Sequence, residues 1–177
     1  HMKFIIAKHL EITGSTNEDA RSGVHGEVFV ADAQTAGRGR LNRSWHSAPK
    51  RNVIMSAVLS VADLDFELAA TFPLVAGLSV TEAVLGIAGV GAPVAVKWPN
   101  DVMWNGKKLA GILCQRHGDL VVCGIGVNVL ERDFPEEIKN RATSLALDGV
   151  ECSVEAVQSR ILDVLGDNYE EWRRNGF

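Results

Sequence analysis

The chain has 177 residues, 46% of them hydrophobic, a formal net charge of −4 and a pI near 5.7. That length favours one domain with a sizeable core, and the mild negative charge gives no general pull toward nucleic acid or membrane surfaces. The charge-free stretches 68–81 and 83–96 are each too short to span a bilayer, and three cysteines without zinc-like spacing (Cys114, Cys123, Cys152) read as reduced thiols of a cytoplasmic protein.

His1-Met2 reads as a tag remnant, which leaves 3–177 as a single domain with no secretory leader. Lys3 to Ile12 opens apolar and reads as a first strand. Gly14-Ser15-Thr16-Asn17-Glu18 looks like a helix start, with Ser15 and Glu18 spaced as a capping box, and a short helix to about Ser22 follows. Glu27 to Gln34 alternates and is β-rich; Asn52 to Val61 is apolar enough for a buried strand. A long helix is expected from Pro73 to about Ile87, ended by Gly89 and Gly91, with Gly77 allowing close packing. Val94 to Trp98 is a short strand. Asn105-Gly106 then joins Val102–Trp104 to Lys108–Arg116 as a hairpin, and Leu120 to Val129 pairs back after Gly118-Asp119. Residues 131–147 look irregular. Ser153 to Arg174 is a helix with an apolar stripe at Val154, Val157, Ile161, Leu165 and Trp172. The sum is an α+β layout: a mixed, mostly antiparallel sheet with helices on one side. There is no internal repeat, no P-loop and no dinucleotide fingerprint.

Charge is distributed unevenly. No acidic residue lies between Asp32 and Asp63, yet Arg38, Arg40, Arg43, Lys50 and Arg51 do. The run Ala36-Gly37-Arg38-Gly39-Arg40-Leu41-Asn42-Arg43-Ser44-Trp45 joins flexible backbone, guanidinium forks and an aromatic ring. Glycine permits close backbone approach, and arginine suits phosphate or carboxylate. The loop reads as a site for a phosphorylated ligand such as a nucleotide; a solvated basic loop or an RNA patch is the plainer alternative. Four further segments stand out: Ser15-Thr16-Asn17, Lys97-Trp98-Pro99-Asn100-Asp101, Lys108-Leu109-Ala110-Gly111-Ile112 and Gly124-Ile125-Gly126-Val127-Asn128. Each has an ordinary structural reading, as a helix cap, a turn, an edge lysine and a β-bulge respectively.

Taken together and in order, with Gln34-Thr35 before the loop and Ala142-Thr143-Ser144-Leu145 near the end, these segments resemble the catalytic domain of the biotin–protein ligase family over nearly the whole chain. The resemblance implies a class II aminoacyl-tRNA synthetase-like fold and a two-step reaction. Biotin and ATP give biotinyl-5′-adenylate and pyrophosphate, with Mg²⁺ on the phosphates; a lysine of a biotin carboxyl carrier protein then takes the biotinyl group and releases AMP. The first step joins anions, so cations must offset the repulsion. By the family match Lys108 and Arg40 carry the main catalytic roles. Biotin falls to Ser15, Thr16, Asn17, Gln34, Gly37, Arg38, Gly39, Arg40, Lys108, Gly111 and Gly124. ATP falls to Arg38, Arg40, Arg43, Trp45, Lys97, Asn100, Lys108 and Asn128, with Trp45 over adenine and Asn128 as its polar reader. No protein ligand set for a metal is implied, and Asp101 is expected to orient its neighbours.

The arginine loop is expected to be mobile until biotin arrives and then to close over the adenylate, excluding water. Asn42 and Arg51 stand where some members have glycine. The chain matches neither the N-terminal DNA-binding domain of regulatory members nor the C-terminal β-domain of many others, so a repressor role is not expected. A homodimer through sheet edges is expected, with no nucleic-acid or membrane partner. The rival readings are lipoate or octanoate transfer on the same fold, and a non-catalytic biotin or RNA binding module.

Overall fold

The computed structural model describes residues 2–177; His1, half of the expected tag remnant, lies outside it. Seven strands form one sheet in the order β1-β2-β3-β7-β6-β5-β4. They are β1 (Ile5–Thr13), β2 (Glu27–Gln34), β3 (Asn52–Ser60), β4 (Val94–Lys97), β5 (Asp101–Trp104), β6 (Lys107–His117) and β7 (Leu120–Asn128). Only the edge pair β1–β2 is parallel; every other neighbour pair is antiparallel. The hairpin between β5 and β6 turns at Asn105 (φ 47°) and Gly106 (φ 83°), the left-handed pair that a two-residue turn of this hand requires.

Helices α1 (Thr16–Asp19), α2 (Phe66–Ala69), α3 (Phe72–Ala88) and α4 (Val154–Asn175) complete the fold. Pro73 sits in the first turn of α3, and Gly89 (φ 105°) ends it, as the sequence predicts. A Cβ on Gly77 would touch Val96 at 3.4 Å, so α3 does lie close to the sheet there. Residues 66–88 as a whole are long and apolar enough to cross a membrane by length and composition, more than the separate charge-free stretches indicated, yet more than half of the most apolar 18 residues among them are buried. Its apolar residues Phe72, Val75, Ala76, Val80, Ala83 and Val84 belong to the core between the sheet and the two long helices. Burial at that scale is the main stabilising force of the domain.

Strand alternation sends Val53, Met55, Ala57 and Leu59 toward α3 and α4, and Ile54, Ser56 and Val58 to the other face. The helices are not confined to one side. Helix α1 and the 3₁₀ turn after it (Ala20–Ser22) cover part of the opposite face, where Ala20 packs with Phe29, Val58 and Val122. The expected capping box does not form: Ser15 is the N-cap in extended conformation without a side-chain bond. The first amide of the helix is instead met from the sheet, Gln34 Oε1 accepting from the Thr16 amide at 2.8 Å. Ser153, expected as the first helical residue, is instead the N-cap of α4, accepting from the Ala156 amide. The buried stripe of α4 includes Tyr169, whose hydroxyl donates to the Ser60 carbonyl at 2.6 Å.

Candidate active site

The face of the sheet beneath α1 has a floor bare of side chains. Gly111 of β6 pairs with Gly126 of β7, and Gly124 pairs with Leu113 on one side and Ser56 on the other. Successive outward positions of β7 are therefore Gly124, Gly126 and Asn128. Each glycine is needed for a specific neighbour. A Cβ on Gly124 would run into the Asn17 carboxamide, coming within 3.0 Å of its Cγ. On Gly126 it would come within 2.7 Å of the Trp45 ring, and on Gly111 within 3.1 Å of Trp45 Cζ3 and 3.3 Å of Lys108 Cε. The space that the sequence reading left for ligand is thus taken, in this state, by the protein's own indole and carboxamide. Two clefts, of about 600 Å³ around His25 and Arg173 and about 150 Å³ around Phe66 and Cys114, lie away from this floor.

One end of the floor is a polar network. Ser56 Oγ lies 2.8 Å from Thr16 Oγ1 and 2.6 Å from Asn17 Oδ1. Asn17 Nδ2 donates to the Leu113 carbonyl at 3.2 Å and to Gln115 Oε1 at 3.0 Å. Asn17 therefore uses its amide within the protein, and its visible work is to hold α1 over the floor. Gln34 Oε1 receives the Thr16 amide, while its Nε2 turns toward Gly37, where a Cβ would come within 2.7 Å of it. Sequence reasoning missed Ser56 and Gln115; no local pattern marks either.

At the other end stand the cations. Lys108 Nζ lies 3.1 Å from Asp101 Oδ1 and 5.5 Å from the centroid of the Trp45 ring. Its main chain is fixed on both sides: its amide donates to the Arg141 carbonyl at 2.7 Å and its carbonyl accepts from Thr143 at 2.9 Å. That places the Ala142-Thr143-Ser144 segment as the support of Lys108. Asp101 is thus the ion-pair partner of Lys108. Asn100 ties its own turn to β6, its Nδ2 donating to the Ile112 carbonyl at 2.9 Å, next to the cis peptide Trp98–Pro99. Lys97 is exposed at the end of β4.

The arginine loop closes on itself. Trp45 N donates to Gly37 O at 2.9 Å and Gly39 N to Arg43 O at 2.6 Å, and Leu41 and Asn42 at the tip both have φ of 58°. Arg38, Arg40 and Arg43 are exposed. The base of the loop is well held: Lys50 N donates to Asp32 O, and Arg51 donates to Ala48 and accepts from Leu130. Beneath it, Trp45 Nε1 and Asn128 Oδ1 are buried without a hydrogen-bond partner among the described residues. Buried polar atoms are rarely left unpaired without a reason. Among the described residues no group of three or more His, Cys, Asp or Glu side chains converges as a metal site.

The model of the biotin/lipoate A/B protein ligase family matches residues 12–128, which spans the loop, the floor and Lys108. The biotin–[acetyl-CoA-carboxylase] ligase of Mycobacterium tuberculosis is 40% identical over 169 residues, 91% of this chain and 63% of that protein. The bifunctional ligase/repressor BirA of Bacillus subtilis is 34% identical over 189 residues, 98% of this chain and 57% of that protein. The chain therefore spans less than two thirds of the length of either relative. The biotin protein ligase of Aquifex aeolicus, solved in complex with biotin and ATP, superposes with a TM-score of 0.83 at 35% identity over 99% of this chain and 73% of that one. The mixed sheet is thus that of the class II synthetase-like biotin ligase catalytic domain. With the family pattern covering the same residues that build the glycine floor and its cationic rim, the chain belongs to the biotin/lipoate A/B protein ligase family.

Proposed function

We propose that this chain activates biotin with ATP and transfers the biotinyl group to a lysine of a biotin carboxyl carrier protein. The carrying observation is the buried, unpartnered pair Trp45 Nε1 and Asn128 Oδ1 on the same floor as the Lys108 amine. An aromatic face with an orphan acceptor beside it fits adenine, whose exocyclic amine is a donor. A lysine and three exposed arginines beside that position fit a triphosphate. The names of the relatives support the same reading.

The chemistry then follows from charge. The biotin carboxylate attacks the α-phosphorus of ATP, which enters as its Mg²⁺ complex, and the bond to pyrophosphate breaks. Lys108 and Arg40 face the attacking carboxylate and the phosphorus; Arg38, Arg43, Lys97 and Asn100 balance the remaining phosphates. Ser15, Thr16 and Gln34 bind the ureido ring, with the backbone at Gly37, Arg38 and Gly39 alongside. Gly111 and Gly124 keep the wall thin, and Asn17 holds that wall in place. The acceptor amine then attacks the biotinyl carbonyl and AMP leaves. Lys108 lowers the pKa of that amine as a nearby cation would. The protein works in the cytoplasm, without a nucleic-acid or membrane partner, and as a homodimer. The free edge of β1, with Ile5, Ile6 and Ile12 exposed, supports the last.

Biotin-dependent exchange of pyrophosphate into ATP tests the reading. Exchange is expected with biotin, absent with lipoate, and lost in Lys108→Ala. No exchange in the wild type, or exchange driven by lipoate instead, refutes it.

A further inference from the structure

Glu131 follows closely after Asn128 and is only 3% exposed. Its Oε2 accepts from the Ala48 amide at 2.9 Å and from Asn52 Nδ2 at 3.4 Å. Asn52, itself 2% exposed, also donates to Ser47 Oγ at 3.0 Å, and its Oδ1 accepts from the Val129 amide at 3.0 Å. The Ser144 hydroxyl donates to the Glu131 carbonyl. Close by, the His46 ring meets the Phe134 ring edge-on with centroids 6.5 Å apart. Residues 46–48 are thus clasped to 129–134 by one carboxyl group, one carboxamide and one ring pair. These residues directly follow Trp45.

A buried carboxyl group is costly unless its bonds are made, so Glu131 holds its place through the Ala48 and Asn52 bonds. An apolar residue there would leave the Ala48 amide unpaired and release the exit of the loop. The opposite end of the site, around Thr16, Asn17, Gln34 and Ser56, has its own hydrogen-bond network with no member in common. The two halves of the site are therefore held by separate networks.

We propose that Glu131 is a positioning residue for the nucleotide half of the site. It fixes the exit of the arginine loop so that the Trp45 indole stays over Gly126 beside Asn128, and it does not touch substrate. This rests on the adenylation reading above.

The test measures pyrophosphate exchange and calorimetric biotin binding for wild type, Glu131→Ala and Glu131→Gln. Glu131→Ala is expected to raise KM for ATP about tenfold, the scale of one buried amide left unpaired, with biotin affinity unchanged. Glu131→Gln keeps an acceptor for Ala48 and is expected to restore most of the ATP affinity. If Glu131→Ala is insoluble, Glu131→Asp, which withdraws the carboxyl by one methylene, must show the same ATP-selective loss. An equal loss for both substrates marks a merely structural role and overturns the proposal, as does an unchanged KM for ATP. A wild type without biotin-dependent exchange fails the parent reading instead, so the two failures are distinguishable.

Discussion

The Trp45 indole lies over Gly126 so closely that a methyl group on that glycine would come within 2.7 Å of Cε2. The ring and the glycine are complementary shapes, and neither can change alone. Gly126→Ala is expected to push the indole off the floor, cost about 1–3 kcal/mol of stability as overpacking does, and raise KM for ATP more than KM for biotin. Gly91→Ala is the control, since a Cβ there meets nothing within 4 Å. Denaturant melts and exchange kinetics of both variants decide the matter; a shift no larger in Gly126→Ala than in Gly91→Ala counts against the packing account.

The Asp101–Lys108 pair is half-open to solvent, so its worth lies in placement more than in stability. Asp101→Asn is expected to shift stability by less than about 1 kcal/mol. The rate of biotin adenylation is expected to fall about ten- to a hundredfold, as small misplacements of reacting groups do. Single-turnover kinetics at saturating ATP and biotin separate the two effects. A large loss of stability with an unchanged rate contradicts the assignment.

The exposed arginines of the loop are natural trypsin targets. Between Gly37 and Trp45 the backbone bonds are local, and such segments open at low free energy. Trypsin is expected to cut first after Arg40 or Arg43 in the free protein, and about tenfold more slowly with biotin and ATP present. Mass spectrometry of early fragments reads this directly; equal rates in both states argue against closure.

His25 sets a pH dependence of stability. Its Nδ1 accepts from the Ser60 amide at 3.0 Å, and burial, followed by the nearby Arg173 charge, holds it below its ordinary value of 6.5. The unfolded chain therefore binds the proton more readily than the folded one. The contribution is complete above 6.5 and is lost as pH falls through that value toward the folded-state one. Urea midpoints are expected to drop further between pH 7.5 and 5.5 in the wild type than in His25→Asn. Parallel slopes show that His25 plays no part.

Local chemistry made much of the fold legible. Asn105-Gly106 announces its hairpin, Pro73 and Gly89 bracket their helix, and the bounds Glu27 to Gln34 are those of β2, although Val28 to Ala31 are all buried and the strand does not alternate. The misses are tertiary. Ser15 and Glu18 have capping-box spacing, but Ser15 makes no capping bond, and the first amide of the helix, that of Thr16, is met by a carboxamide from a strand 18 residues away. Tyr169 lies one helical turn beyond Leu165 and could have joined the stripe, since its position alone signals burial. The candidate site residues were legible as motifs, and the structure brings Thr16, Gln34, Lys108, Gly111 and Gly124 to one face. What holds the surroundings in place (Ser56 and Gln115 at one end, Glu131 at the other) is a set of single polar residues whose roles exist only once β3, β6 and β7 lie side by side.

The β3–β7 ladder runs from Asn52 opposite Asn128 to Ser60 opposite Leu120, and Asn52 reaches an amide 77 residues away in the sequence. Closing so long a loop costs entropy before any contact rewards it, which slows folding. The strand that Trp45 and Asn17 pack on, at Gly126 and Gly124, is set in place by that ladder. The arginine loop and α1, although early in sequence, are therefore expected to gain these partners late, and burial of the Trp45 indole becomes a readout of completed folding.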